Sequence, residues 1–196
     1  MHAKGVAATD RILLISSTVK GGQLLQDMLG AIPGELMLAQ SGAEARRNLT
    51  EGDFALIVIN SPLSDEFGHD LALDFVANTA AGVVLLVKAE LNEEVAERVE
   101  PNGVLCLIKP MTRSAMLHIV KIAMATHARL NQLLQEKRTL ERRLEQQRLV
   151  DRSKFALMEH ASMTEAQAHR YLVKQAMDLR TTKEAVANQV LSLYEV

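Results

Sequence analysis

The sequence has one cysteine and few aromatic residues. Cys106 lies in an apolar run, which excludes a disulfide framework, disfavours a cysteine-based metal site and predicts a buried structural thiol. Tryptophan is absent and aromatic residues make up 3% of the chain, so rows of stacked rings that bind single-stranded nucleic acid are poorly supplied. Any recognition of nucleic acid is therefore expected from a helix face.

Long hydrophobic runs are also missing. No apolar run approaches the roughly 18 residues that span a bilayer. Residues 1–10 lack the basic start and apolar centre of a signal peptide. The sequence therefore predicts a cytoplasmic protein with no membrane partner. Its 196 residues are 48% hydrophobic and 23% charged, which is enough for one globular domain and a smaller appendage.

The two parts of the chain differ in charge. The net charge of −2 divides into −5 for residues 1–128 and +3 for residues 129–196. The two parts are therefore expected to have different partners.

Short apolar runs alternate with segments of helical period along the first 112 residues. This alternation is typical of a parallel sheet with helices on both faces, and it predicts an α/β fold with a five-stranded, doubly wound sheet. The predicted strands are Arg11–Ser16, Leu36–Leu38, Ala55–Asn60, Gly82–Lys88 and Val104–Ile108.

A long helix is predicted after the sheet. Ser114–Arg148 contains no glycine or proline and is rich in residues that favour helices. Its later leucines follow a 3-4 spacing that indicates a short coiled coil, and through it a homodimer. A single helix that covers its own domain is the alternative. The leucines of this stripe are Leu130, Leu133, Leu140 and Leu144.

The last 47 residues predict three short helices. These are Asp151–His160, which continues or restarts the long helix, Glu165–Leu179 and Lys183–Leu193, with Thr164 and either Thr181 or Thr182 as N-caps. A miniature core is expected from Leu157, Met158, Ala168, Leu172, Ala176, Met177, Val186, Val190 and Leu191. The predicted domains are residues 1–125 for the sheet, 126–148 for the coiled-coil helix and 149–196 for the three-helix domain.

The N-terminal pattern resembles the receiver domain of response regulators, which has a flavodoxin-like sheet, over residues 10–127. Lys109-Pro110 matches the dipeptide whose lysine contacts the phosphoryl group in receivers. Receivers also have an acidic pair after the first strand and a phospho-accepting aspartate after the third. Here Ser16-Ser17 hold the first place, and either Val58 or Asn60 holds the second.

These replacements remove the groups that phosphoryl transfer requires. Transfer to aspartate needs a carboxylate nucleophile and a Mg²⁺ held by further carboxylates, whereas Asn60 offers a neutral amide. Leu86–Lys88 stands where receivers end the fourth strand with Ser or Thr. Asp65 and Glu66 are interpreted as loop and helix-start residues rather than metal ligands. The first domain is therefore predicted to be a degenerate receiver with no catalytic residue, metal or cofactor.

The C-terminal segment Val150–Leu191 resembles the ANTAR domain of transcription antitermination regulators. The matching stretches are residues 154–158, 164–172, 175–180 and 185–187. ANTAR domains usually have Ala-Lys-Gly in the first helix, where this chain has Ser153-Lys154-Phe155. A coiled coil and an ANTAR domain behind a degenerate receiver are also the layout of amidase-operon antiterminators.

The resemblance implies a non-enzymatic, RNA-binding antiterminator. Such a protein binds hairpins in the leader of a nascent messenger RNA and prevents formation of the terminator. Cationic side chains attract phosphates, and His or Arg side chains contact exposed loop bases. The predicted RNA-binding residues are Arg152, Lys154, His169, Arg170, Lys174 and Arg180.

Two other functions remain open at this point. The protein could be a response regulator phosphorylated at an unusual site, or an adaptor whose receiver-like domain binds a sensor or regulatory protein. The coiled-coil arginines Arg142, Arg143, Arg148 and Arg152 could equally be a solvated helix face, and Tyr171 could be a ring at the edge of the core.

Overall fold

Residues 10–194 are described in a computed structural model of the protein. The described part leaves out residues 1–9 and 195–196. The interpretation that residues 1–10 lack a signal-peptide pattern therefore lies mostly outside it. The chain divides into two compact units between Gln132 and Leu133. The predicted domain boundaries at 125/126 and 148/149 stay a prediction. Within residues 10–194, no helix is both long and apolar enough to cross a membrane.

The first unit contains a five-stranded parallel sheet with the strand order β2-β1-β3-β4-β5. The predicted fold class is therefore confirmed. Strand β2 extends beyond the predicted Leu36–Leu38 at both ends, because this edge strand is partly exposed and its apolar run is short. The strands are β1 Arg11–Ile15, β2 Glu35–Ala39, β3 Leu56–Asn60, β4 Gly82–Lys88 and β5 Leu105–Lys109.

Helices follow the strands and cover both faces of the sheet. Two short 3₁₀ turns, Ala89–Leu91 and Glu100–Asn102, flank the fourth helix. The helices of the described residues are α1 Val19–Leu29, α2 Gly42–Thr50, α3 His69–Asn78, α4 Asn92–Val99, α5 Arg113–His160, α6 Glu165–Asp178 and α7 Lys183–Tyr194.

The core of the first unit lies in two layers. On one face of the sheet, Leu25 of α1 and Val120 of α5 are buried. On the other face, α2, α3 and α4 pack, and Phe75 and Val99 are buried. Adjacent side chains of a strand point to opposite faces, so strands covered on both sides appear in the sequence as continuous apolar runs.

Helix α5 is longer than the predicted Ser114–Arg148. It runs without interruption from Arg113 to His160, so the predicted helix Asp151–His160 is its continuation. No glycine or proline interrupts the segment, and therefore nothing in the sequence ends the helix earlier.

The second unit has a small core formed by the end of α5, α6 and α7. Leu157, Leu172 and Val190 are among its buried residues. Two residues expected in this core are instead exposed, Met177 at 73% and Met158 at 37%. Met177 lies in the last turn of α6, on the side opposite the buried Ala168, Leu172 and Ala176. This position explains why the Met177 side chain is exposed.

The predicted caps of α6 and α7 are present. Thr164 accepts a hydrogen bond from the Gln167 N–H at 3.3 Å, and the Gln167 side chain accepts from the Thr164 N–H at 2.8 Å, which forms a capping box. Of the two candidates for α7, Thr182 is the cap, because its hydroxyl accepts from the Ala185 N–H at 3.2 Å.

Cys106 differs from its expected burial. It lies on β5, at the edge of the sheet, and is partly exposed rather than buried. Burial of the thiol raises the pKa of Cys106 to about 11, and the nearby Glu100 carboxylate adds to this rise. The thiol is therefore protonated and unreactive at neutral pH.

The acidic loop after β3 is tied to α2. The Asp65 carboxylate accepts hydrogen bonds from the N–H groups of Gly42 and Ala43, both at 3.0 Å, at the start of α2. Glu66 forms an ion pair with Arg46, which also contacts Asp74 at 3.0 Å. A carboxylate at a helix N-terminus satisfies free N–H groups and the helix dipole. Asp65 therefore stabilises a helix other than the one that follows it.

We expect Asp65→Asn to reduce stability in a pH-dependent way. Hydrogen bonds from Gly42 and Ala43 lower the pKa of Asp65 in the folded state. Its contribution is therefore complete above the unfolded pKa of about 3.9 and is lost as pH falls through the lower folded pKa. The melting temperature, followed by circular dichroism from pH 7 to pH 3, should be lower for Asp65→Asn at pH 7, and this deficit relative to the unmodified protein should shrink as the pH falls. Asp53→Asn, at another exposed aspartate, serves as the control. An equal deficit for Asp65→Asn at both ends of the pH range would contradict this account.

Candidate nucleic-acid interface

The predicted receiver-site residues meet at the carboxyl edge of the sheet. Asn60, at the end of β3, donates a hydrogen bond to Ser16 Oγ at 3.1 Å and accepts one from Lys109 Nζ at 2.9 Å. Lys109 also donates to the Ser61 carbonyl, and Ser17 donates to the Pro62 carbonyl at 3.4 Å. Of the two candidates in β3, Asn60 therefore contacts the lysine, whereas Val58 is buried in the core.

The groups that contact Lys109 at this edge are neutral. Burial lowers the pKa of Lys109, and the neighbouring Lys88 lowers it further. A Cβ added at Gly21 would lie 2.5 Å from Ser16 Oγ and 2.9 Å from Asn60 Nδ2, so the first turn of α1 packs closely against the network. No group of three His, Cys, Asp or Glu side chains within residues 10–194 could hold a metal ion.

One face of α6 brings three of the predicted RNA-binding residues together. His169, Arg170 and Lys174 line a shallow depression of about 330 Å³ with Val173, Met177 and Asp178. The basic side chains are exposed to solvent, and Met177 adds an exposed apolar surface between them. This combination of cations and apolar surface can contact both phosphates and the faces of bases.

Lys154 has a different environment. Its ammonium contacts Asp151 Oδ1 at 2.8 Å and Glu165 Oε1 at 3.3 Å, and its side chain is 15% exposed. The hydrogen bond that Lys154 donates to Asp151 is the main cause of its raised pKa, and the one that it donates to Glu165 contributes as well. Lys154 therefore connects α5 to the first turn of α6. Beside it, Ser153 is fully buried and Phe155 is 66% exposed.

A groove lies where α5, α6 and α7 meet, and we refer to it as the junction groove. Its volume is about 310 Å³. His169 lines both this groove and the depression on α6, so the two concave surfaces are adjacent. The junction groove is lined by Arg143, Gln146, Gln147, Val150, Lys154, His169, Lys183 and Glu184.

Arg180 follows α6 in a left-handed conformation, with φ of 50°. Its N–H donates to the Met177 carbonyl at 3.2 Å, and the Thr181 N–H donates to the Ala176 carbonyl at 2.9 Å. These bonds form a Schellman motif, in which glycine is the usual residue at this position. An arginine there costs about 1 kcal/mol in backbone strain, and strained residues of this kind are common at functional sites.

The sequence prediction found some of these residues and missed others. Arg152 is exposed but lines neither the junction groove nor the depression on α6. The sequence prediction places Arg143 in the coiled coil, and it assigns Gln146, Gln147 and Lys183 to no site. A signal was available, because Arg143, Gln147, Val150 and Lys154 follow a 4-3-4 spacing that places them on one face of α5.

Comparison with known proteins identifies relatives over most of the chain. Residues 138–191 match the family model of the ANTAR domain. The chain is 30% identical over 170 residues to the transcriptional regulatory protein PdtaR of Mycobacterium tuberculosis, in strain CDC 1551 / Oshkosh and in strain ATCC 25618 / H37Rv. The match covers 86% of this chain and 81% of each PdtaR protein.

Solved structures support the fold of the first unit. The signal receiver domain of an HD domain-containing protein from Pseudomonas fluorescens Pf-5 matches with a TM-score of 0.60 and 19% identity, over 67% of this chain and 98% of that one. A response regulator receiver domain from Clostridium thermocellum matches with a TM-score of 0.56 and 20% identity, over 62% and 98% respectively. The chain belongs to the family of ANTAR-domain transcriptional regulators that carry a receiver-like domain.

Proposed function

We propose that the protein is an RNA-binding transcription antiterminator. It binds hairpins in the leader of a nascent messenger RNA and thereby prevents the terminator hairpin from forming. The main support is the face of α6, where His169, Arg170 and Lys174 surround exposed apolar surface within the segment that matches the ANTAR domain.

The proposal assigns different roles to the six predicted RNA-binding residues. Arg170, Lys174, Arg152 and Arg180 bind phosphates, because their side chains are exposed and carry permanent positive charge at neutral pH. His169 contacts loop bases with its ring. Lys154 acts mainly through its two ion pairs, which position α6 for RNA binding.

We expect the double substitution Arg170→Ala and Lys174→Ala to weaken binding of a two-hairpin leader RNA. Each lost phosphate contact should reduce the slope of log affinity against log salt concentration by about 0.7 to 0.9. The measurement is a filter-binding titration of the full-length protein across salt concentrations, with a loop-scrambled RNA for comparison.

The matched control is Arg138→Ala with Arg142→Ala. These residues are also exposed cations four positions apart, but they lie on α5 outside the depression on α6. Equal losses for the two double variants would mean that RNA responds to net charge and that the α6 face is not the site. Failure of the unmodified protein to prefer hairpins over scrambled loops would contradict RNA recognition itself.

We expect Arg180→Gly to separate stability from RNA binding. Glycine adopts positive φ without strain, so the free energy of unfolding should rise by about 1 kcal/mol, while the lost cation weakens RNA binding. Ser162→Gly is the control, because Ser162 also has a positive φ of 53° but carries no charge. Urea unfolding and hairpin titration measure the two effects. An Arg180→Gly protein that binds RNA as well as Ser162→Gly would remove Arg180 from the interface.

The same proposal includes a receiver-like domain that accepts no phosphoryl group. Asn60 replaces a nucleophilic carboxylate with an amide, and its hydrogen bonds to Ser16 and Lys109 occupy both ends of that amide. Control of the protein then depends on a partner or on RNA, and a sensor or regulatory protein that binds the first domain fits this role.

The proposal also includes a homodimer formed through α5. Leu130, Leu133, Leu140 and Leu144 are 41–63% exposed in the single chain. Their 3-4 spacing is that of a coiled-coil seam, and a second copy of the helix would bury them. The seam ends near Gln147, since the following positions Asp151 and Lys154 form hydrogen bonds within the second unit.

Native mass spectrometry tests two parts of the proposal together, namely that the receiver-like domain accepts no phosphoryl group and that the protein is a homodimer. After incubation with acetyl phosphate and Mg²⁺, the protein should show twice the mass of one chain and no added phosphoryl group. Leu140→Lys with Leu144→Lys should yield monomers, because a coiled-coil seam does not tolerate four buried cations per dimer. A phosphoryl-sized mass increase would instead support the response-regulator function, and a monomeric unmodified protein would contradict the dimer.

A further inference from the structure

The junction groove contains more than positive charge. Arg143 and Lys183 supply cations, and the ammonium of Lys154 is shared with Asp151 and Glu165. Glu184 also lines the groove and is ionised, because hydrogen bonds from its own N–H and from the Thr182 hydroxyl lower its pKa. A carboxylate repels phosphate, so Glu184 gives the groove a group that phosphate binding alone does not use.

Hydrogen-bond acceptors accompany this carboxylate. The Gln147 amide nitrogen donates to Asp151 Oδ2 at 3.0 Å, which fixes the amide and leaves its carbonyl oxygen as an acceptor. Gln146 adds a second amide. Carboxylate and amide oxygens accept hydrogen bonds from the amino groups of bases, and they are the side chains that proteins use to read base edges.

The groove also offers surface for a flat ring. Val150 is nearly buried, and the His169 imidazole lies in the same lining. The volume of about 310 Å³ is at the lower end of the roughly 300–1,000 Å³ found for small-ligand sites. Unstacked RNA bases bind in such places, with their faces on rings or apolar side chains and their edges hydrogen-bonded.

We propose that the junction groove holds one unstacked base of the RNA loop, and that this base carries an exocyclic amino group. Adenine, cytosine and guanine carry such a group, whereas uracil does not. The amino group donates to Glu184 or Gln147, while Arg143 and Lys183 bind the adjacent phosphates. This inference rests on the proposed function and adds a base-reading site to the phosphate-binding face of α6.

The substitution Glu184→Gln distinguishes base reading from electrostatic attraction by the sign of its effect. If the groove attracts RNA by charge alone, removal of a negative charge strengthens the binding of every RNA. If Glu184 accepts from a base, the variant replaces a charge-assisted hydrogen bond with a weaker neutral one and binds a preferred hairpin about fivefold more weakly, whereas its affinity for a loop-scrambled hairpin does not fall. Glu145→Gln is the matched control, since this exposed glutamate of α5 does not line the groove.

The experiment uses the full-length protein and a hairpin RNA that the unmodified protein enriches from a library with randomised loops. Each loop position of that hairpin is then replaced in turn by an abasic site and, in a second series, by uracil. At one position, both replacements should weaken binding to the unmodified protein and should weaken binding to Glu184→Gln by a smaller factor. Circular dichroism confirms that α7 remains folded in the variant.

A second pair of variants makes the test independent of α7. Arg143→Ala should weaken binding of the enriched hairpin more than Arg142→Ala, because the neighbouring Arg142 lies outside the groove. Two outcomes would overturn the assignment of the groove while leaving the proposed function intact. One is stronger binding of the enriched hairpin by Glu184→Gln, and the other is additive effects of Glu184→Gln and the abasic site at every loop position. A protein that enriches no hairpin would overturn the proposed function, and this inference with it.

Discussion

A single helix supplies core residues to both units of the protein. Met116 and Val120 of α5 are buried against the sheet, and Val150 and Leu157 of the same helix are buried in the three-helix core. The helix has no interior glycine or proline, so its backbone hydrogen bonds continue from Arg113 to His160. Between these two buried sections, the leucines of α5 are exposed instead of buried, and this is the part of the helix through which a homodimer is proposed.

The carboxyl edge of the sheet shows how neutral groups hold a partly buried lysine in place. Lys109 is partly buried, and burial of an ammonium without compensation is unfavourable. Its hydrogen bonds to Asn60 and to the Ser61 carbonyl provide neutral compensation, and Asn60 is in turn held by Ser16. The Asn60 amide thus hydrogen-bonds to both neighbours, which explains how the lysine ammonium is held at this edge.

The sequence predicted the sheet, the helices and the caps well because these features depend on local patterns. Apolar runs give the buried strands, and Thr164 with Gln167 gives the start of α6. Met177 and Asp65 could not be placed in this way. Whether Met177 is buried depends on which side of α6 faces α5 and α7, and local sequence does not determine this. Asp65 contacts α2 across more than 20 positions of the chain, which is beyond the range of a local pattern. The same limit applies to the junction groove, whose residues come from three helices.

Under the proposed function, specific RNA binding by the second unit has to come from well-positioned contacts rather than from total charge. A net charge of +3 over residues 129–196 is small, and Lys137 and Lys154 are already paired with carboxylates. Attraction to phosphate strengthens the binding of every RNA equally. When this attraction is weak, contacts with specific bases make up more of the affinity, which favours selectivity. Two such units joined by one coiled coil would bind two hairpins with a raised effective concentration, so modest contacts to each loop are sufficient. A dimeric arrangement therefore suits a protein that has few aromatic residues and little excess charge.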